Sequence, residues 1–277
     1  MVYASTPVVF EAKSIGSFMP EGSPVTRACE FLFTCLFVRG DVKTSSHRVE
    51  LQVPQSLLGE FKQASTEQTK LGLMSGFAIS FPGARRPEGA ARPAEPDMII
   101  TPAGGARIRQ NAKWTDEATD AEKAGFSLDA LVGRMKQSGL LPEANISEPS
   151  KGVFQSDTGE ITMRAKENLL KVATRFSEAV TLEAGRAEPV GRLQLIGSDT
   201  PAMVGICAMD GKELAESRRM VLLYATETAN TGMELTPDRT KMFSYGTLPV
   251  LMKVGRLDAT LQNAHGKNMA LYAIGLN

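Results

Sequence analysis

From residue 151 onward the chain is cut into short apolar runs by glycine, asparagine and aspartate, and that rhythm leaves few folds open. The runs Val153–Gln155, Glu160–Ala165, Leu169–Thr174, Glu178–Glu183, Arg192–Ile196, Ala202–Met209, Arg219–Thr226, Leu248–Lys253, Leu257–Gln262 and Met269–Ile274 all read as strands. Turns are marked at Asp157–Gly159, Glu167–Asn168, Asp210–Gly211 and His265–Gly266. Short strands at regular spacing bury one face each, and the stable solution is an antiparallel sandwich or barrel. Asp210–Gly211 is the strongest hairpin turn, because an Asp-Gly pair accepts the positive φ angles that two-residue hairpins require.

The front of the chain has a different character. Residues 2–10 read as a short strand that begins abruptly, as if an element preceded it. Ser23 followed by Pro24 supplies a hydroxyl cap and a proline at the first helical position. The helix is expected to reach about Val38, with Gly40 as its stop. Phe31, Leu32, Phe33, Cys35, Leu36 and Phe37 make it apolar nearly all round, which predicts burial on several sides. His47–Val53 alternates as a half-buried strand, with Val49, Leu51 and Val53 on one face. Two short helices, Gln55–Lys62 and Thr66–Met74, and a strand Phe77–Phe81 follow. Residues 82–97 are rich in Pro, Gly, Ala and Arg and read as a solvated loop, with Arg85, Arg86 and Arg92 offset by Glu88, Glu95 and Asp97. Met98–Ile100 and Ala106–Ile108 form a hairpin around Pro102, Gly104 and Gly105. Thr115 caps a polar helix to Lys123. Ser127 caps another, with Leu128, Leu131, Val132 and Met135 on one face and Gly139 after its end. The expected architecture is mainly β with an α+β front. A mixed segment (1–81) holds one buried helix, a linker with short helices follows (82–150), and an antiparallel β-sandwich ends the chain (151–277).

Bulk composition narrows the function classes. Thirty-one basic and thirty-one acidic residues cancel, which argues against nucleic acid and against a charged membrane surface as partners. The longest apolar stretch, Phe31–Val38, falls far short of the roughly 20 residues that span a bilayer. No signal-peptide pattern is seen at Met1–Phe10, so the default expectation is a cytoplasmic location. Cys29, Cys35 and Cys207 do not describe a disulfide framework. With only His47 and His265, and no Cys-x-x-Cys or His-x-x-x-His, no metal or cofactor is expected.

Several residues invite a chemical reading beside a plainer one. Asp157 and Glu160 are a carboxylate pair in SDTGEI, and sugar hydrolysis uses two carboxylates about 5–9.5 Å apart. Turn chemistry at Gly159 accounts for both without catalysis. Glu11 sits in an apolar context and is read as a strand-end residue in an ion pair or as a buried acid. Ser45, Ser46 and His47 are adjacent, but adjacency on a strand sends side chains to opposite faces. Gly104–Gly105 with Arg107 and Arg109 reads as a hairpin tip in preference to a phosphate loop. Arg218 and Arg219, after Glu213 and Glu216, suggest salt bridges on a solvated face or a clamp for an acidic sugar. Trp114 is the sole tryptophan, in QNAKWTDE; it is the one candidate substrate-binding residue, as a sugar platform, with anchoring of a loop as the plainer reading.

The segment from Val153 through Gly185, followed by MDGKELAESRRMVLLYATETANTGM (209–233), resembles the post-barrel region of large bacterial glycoside hydrolases. SIGSFMPEGSPVTRACEFLFTCLFVRGDVKTS near the front, with its Arg39-Gly40-Asp41-Val42, fits the same pattern. The resemblance implies β-sandwich domains after a (β/α)8 catalytic barrel. It also implies that the catalytic carboxylates lie upstream, since no position in this chain matches either motif; VYAS then looks like the tail of a last barrel strand. The expected role is therefore a non-catalytic structural or carbohydrate-contacting region, with a polysaccharide or an upstream catalytic domain as partner. Two alternatives stand beside it: a homo-oligomeric assembly protein joined through the apolar helix and sandwich edges, and a glycoside hydrolase active on its own through Asp157, Glu160 or Glu11.

Overall fold

The computed structural model describes residues 24–57, 69–83, 94–102, 105–110, 113–115, 127–237 and 241–274. The expected strand at 2–10, Glu11, the Ser23 cap, the arginines of the 82–97 loop, Gly104 and the helix after Thr115 lie outside the described residues. The fold is mainly β, with two α-helices among the described residues. Two compact units divide it: residues 43–167, and residues 1–42 together with 168–277. The expected boundaries at 81/82 and 150/151 are not where the chain divides, and strand pairing is the reason.

In the 43–167 unit, β1 (Arg48–Gln52), β2 (Gly76–Ser80), β3 (Met98–Ile100), β4 (Ala106–Gln110) and β5 (Lys113–Trp114) form one sheet in the order β2-β1-β3-β4-β5. β1 lies parallel to both β2 and β3, and this pairing draws residues beyond 81 into the same sheet as residues before it. The stretch that reads as a linker with short helices therefore contributes strands: β3 and β4 pair antiparallel, as the hairpin motif predicts. The period-two pattern of β1 sends Val49 and Leu51 to full burial. Against them pack Leu128, Leu131, Val132 and Met135 of α2 (Leu128–Gln137), one apolar face of a helix laid on one apolar face of a sheet. Ser127 Oγ accepts the Ala130 amide at 3.1 Å, and Gly139, at φ +73°, lets the chain turn out of the helix. The hairpin of β6 (Val153–Gln155) and β7 (Ile161–Arg164) joins the same core through Phe154.

The other unit is a sandwich with a helix on its back. β8 (Leu169–Ala173), β9 (Ser177–Leu182), β12 (Ala202–Ala208) and β13 (Met220–Ala225) are antiparallel, in the order β13-β12-β9-β8. A second sheet runs β10 (Glu188–Pro189), β11 (Leu193–Ser198), β18 (Leu257–Leu261). Alternation places Val180, Leu182, Val204 and Ile206 of the first sheet in one cluster with Leu193 and Leu195 of the second. The opposite face of the first sheet takes α1 (Pro24–Phe33), where Leu32 sits over Gly205: a Cβ on that glycine would lie 3.1 and 3.2 Å from the two Leu32 methyls. The expected single helix to Val38 is instead α-helix to Phe33 and a π-helical turn over Thr34–Val38, closed by Arg39 N–H donating to Thr34 O at 2.8 Å. Among the described residues its buried positions are Leu32, Cys35 and Leu36, on the side that meets the sheet; Phe37 and Val38 face solvent. Two small ribbons complete the unit, β14 (Thr228–Thr231) with β17 (Thr247–Met252) and β15 (Glu234–Leu235) with β16 (Met242–Ser244). The expected strand Met269–Ile274 is in no sheet among the described residues.

Candidate functional site

The end of the sandwich holds two buried carboxylates. Glu178 lies on the β9 face that carries Val180 and Leu182, so alternation aims it between the sheets, and it is only 3% exposed. Its oxygens accept the backbone amides of Arg192 at 2.8 Å and Leu193 at 2.7 Å, where the chain turns from β10 into β11. Gly191 leaves room for this: a Cβ there would fall 2.4 Å from Glu178 Oε1. Burial raises the Glu178 pKa, and the two amides, followed by Arg192 and Lys171, draw it some of the way back. Glu188 is buried too. Lys171 Nζ, from β8, donates to Glu188 at 3.1 Å and to Pro189 O at 3.0 Å, and Arg186 approaches the other oxygen at 3.5 Å. Each acid therefore has its own partners: Glu178 replaces water for two turn amides, and Glu188 is neutralised by two cations.

A second polar knot ties the chain after α1 to the first sheet. Arg39 grips Asp41 through two bonds, Nε to Oδ1 at 2.8 Å and Nη2 to Oδ2 at 2.5 Å. The same guanidinium donates to Ala208 O at 2.8 Å, and Ser177 Oγ donates to Asp41 at 2.5 Å. Gly40, at φ +83°, makes the intervening turn. Asp41 holds the Arg39 pKa above its ordinary value. Cys207 lies nearby, its thiol pushed up to about 12 mainly by burial, with Cys35 adding to the rise. A thiol so protonated is a poor nucleophile.

The residues singled out from sequence take structural positions. Asp157 is buried in the β6–β7 turn, accepting Ser45 Oγ at 2.5 Å while its own N–H donates to Met74 O at 2.7 Å. Glu160 accepts the Lys43 amide at 2.8 Å. The Ser45 hydroxyl reaches the backbone carbonyl of His47 at 2.7 Å, while the His47 ring faces Asp97 at 3.8 Å. Arg109 pairs with Glu95, and with Asp97 at 3.8 Å. Arg107 stands 5.7 Å from the centre of the half-buried Trp114 ring, a cation–π arrangement that occupies some of the ring's surroundings. The expected bridges among Glu213, Glu216, Arg218 and Arg219 are replaced: Glu213 pairs with Arg175, and Glu216 lies 3.8 Å from His265. Asp210 explains why, because it organises that loop itself. It accepts the Arg218 amide, the Ser217 hydroxyl and the Lys212 amide, and its pKa falls to about 2.

Glu178 is the residue that sequence reasoning misses. Its signal is there: an acid in phase with Val180 and Leu182 on a strand whose other residues are apolar or small. Among the described residues no cluster of His, Cys, Asp and Glu could hold a metal ion, and no helix is long and apolar enough to cross a membrane. No protein-family model, curated protein or solved structure matches the chain.

Proposed function

We propose that this chain is a non-catalytic region of a glycoside-hydrolase-like protein, a β-rich support that stands beside a catalytic barrel and contacts carbohydrate without cutting it. The observation that carries the reading is the fate of the acids. Asp157, Glu160, Glu178 and Glu188 are each committed to backbone amides, a hydroxyl or a cation of the same chain. General acid–base work needs a carboxyl group free to meet the substrate's proton and a second one across the scissile bond. The segment likeness to post-barrel regions supports the same reading.

Trp114 is the residue proposed to touch sugar, through the half-buried ring beside which Arg107 stands. The test is retention of the pure protein on a panel of insoluble polysaccharides, together with quenching of its single-tryptophan fluorescence by soluble oligosaccharides. Binding that weakens at least tenfold in Trp114→Ala, with an unchanged circular-dichroism spectrum, is the expected result. Retention unaffected by that substitution removes Trp114 from the site, and the absence of retention on every polysaccharide removes carbohydrate contact from the function.

A further inference from the structure

We propose that β13 is an open sheet edge to which a second copy of this chain adds its own β13, antiparallel, so that two sandwiches share one continuous sheet. The direction of the backbone hydrogen bonds carries the inference. β12 and β13 pair with Met203 opposite Ala225 and Ala208 opposite Met220. One position further on, the Met209 amide donates to Arg219 O at 2.8 Å. Along an antiparallel strand, residues alternate between those that bond to the neighbouring strand and those whose N–H and C=O point away from it. Arg219, Val221, Leu223 and Ala225 therefore bond toward β12. Met220, Leu222 and Tyr224 aim their amides and carbonyls off the sheet, where no described residue bonds to them.

The two edges of the other sheet in the sandwich are guarded. β10 is two residues long and contains Pro189, which has no N–H to offer, and β18 carries the charge of Asp258. Short strands, prolines and charges are the devices that keep sheet edges from pairing. β13 has none of them: its six residues, Met-Val-Leu-Leu-Tyr-Ala, include no charge and no proline. Leu222 lies on the strand face of Met220 and Tyr224, which pack on the sandwich core, yet it is 37% exposed.

A row of unpaired amides and carbonyls is completed by a strand and not by a general apolar cover. Symmetry and charge select which strand. A two-fold axis at Leu222 sets Leu222 against its own counterpart and Met220 against Tyr224. The outward amides of each copy then meet the outward carbonyls of the other, for about six hydrogen bonds. Arg218 and Arg219, just before the strand, are exposed and form no ion pair with a described carboxylate. Glu227 lies two residues past its end. Antiparallel addition carries the arginines of one copy toward the Glu227 end of the other, whereas parallel addition would set arginine against arginine. A second copy thus supplies both the uncharged strand and the acid that these arginines lack. An edge-to-edge contact is smaller than the roughly 1,200–2,000 Å² of a tight interface, so micromolar association is expected. The inference is independent of any carbohydrate role.

The test is residue-resolved hydrogen exchange on the full chain at about 1 and 100 μM, with sedimentation velocity over the same range. The expected result is a monomer–dimer equilibrium with an alternating signature. The amides of Leu222 and Tyr224 gain about threefold protection or more as concentration rises, while those of Val221 and Leu223, already bonded to β12, gain less. Leu222→Lys sets two ammonium groups face to face across the axis and should raise the dissociation constant at least tenfold, with unchanged far-ultraviolet circular dichroism. Arg218→Glu/Arg219→Glu should weaken the dimer as well. Should Leu222→Lys fail to fold, the wild-type exchange pattern decides alone. A monomer throughout, a dimer whose added protection does not alternate along β13, a dimer indifferent to both variants, or protection of Leu222 and Tyr224 that is already complete at the lowest concentration in a monomer overturns the proposal.

Discussion

Replacing Glu178 by alanine tests whether the buried acid is a structural element or a misplaced reactive group. Two backbone amides lose an acceptor at 2.7–2.8 Å. A hydrogen bond to a charged group contributes about 1.5–3 kcal/mol, and a buried donor left without a partner costs about 1–3 kcal/mol. Against this stands the cost of keeping a carboxylate out of water, which the raised pKa registers. The amide losses are the larger effect, because Leu193 is buried and its amide is left without a partner. The net expectation is destabilisation of about 2–4 kcal/mol. Since the chain forms two compact units, a single unfolding midpoint is a poor measure; exchange of the 192 and 193 amides reads the effect directly. Protection there should fall by roughly 30-fold or more, at about 1.4 kcal/mol per factor of ten. Glu178→Gln gives the pH arm. A carboxyl whose folded pKa lies above its unfolded value stabilises most below the unfolded value, and that contribution is lost as pH rises through the folded one. The stability of Glu178→Gln relative to wild type should therefore improve from about pH 4 to pH 7, the unfolded value being about 4.3. An alanine variant with unchanged exchange at 192–193, or a Gln-to-wild-type difference that moves the opposite way with pH, refutes the reasoning.

Leu32→Ala removes the side chain that seats α1 on Gly205 and should cost about 2–5 kcal/mol, seen as lost protection of α1 and the β12 amides; a change under about 0.5 kcal/mol would mean that the helix is not held there. Asp210→Asn should lower the melting temperature at pH 7 and match wild type near pH 2. The Asp210 contribution is complete above the unfolded value of about 3.9 and disappears as pH falls through about 2, so a gap that persists at low pH contradicts it. Cys207 should resist alkylation in the native protein and react on unfolding, followed by mass spectrometry; rapid native labelling would show that its thiol is not sealed.

Local pattern carries the elements and misses their long-range partners. β1 is legible from alternation, β9 as a short run between turn residues, and α2 from the Ser127 cap, its four-residue apolar face and Gly139. The parallel pairing of β1 with β3 is not, because nothing in either run names a strand about fifty residues away. For the same reason the boundary between units falls at 42/43 and 167/168. The π-helical turn at Thr34–Val38 has no periodic signature; Arg39, directly after it, holds Asp41 and the Ala208 carbonyl. Asp157 and Glu160 read as turn residues from their own neighbourhood, but the partners Ser45 and Lys43 lie more than a hundred residues earlier. Met269–Ile274 carries the composition of a strand, yet composition cannot supply the neighbour that a strand requires.

Release of reducing ends from a panel of polysaccharides by the pure protein tests the central reading most directly. With Asp157, Glu160, Glu178 and Glu188 all holding the chain together, release should equal the enzyme-free blank on every substrate. Turnover above that blank, abolished in Asp157→Asn or Glu160→Gln while the fold is retained, would contradict it.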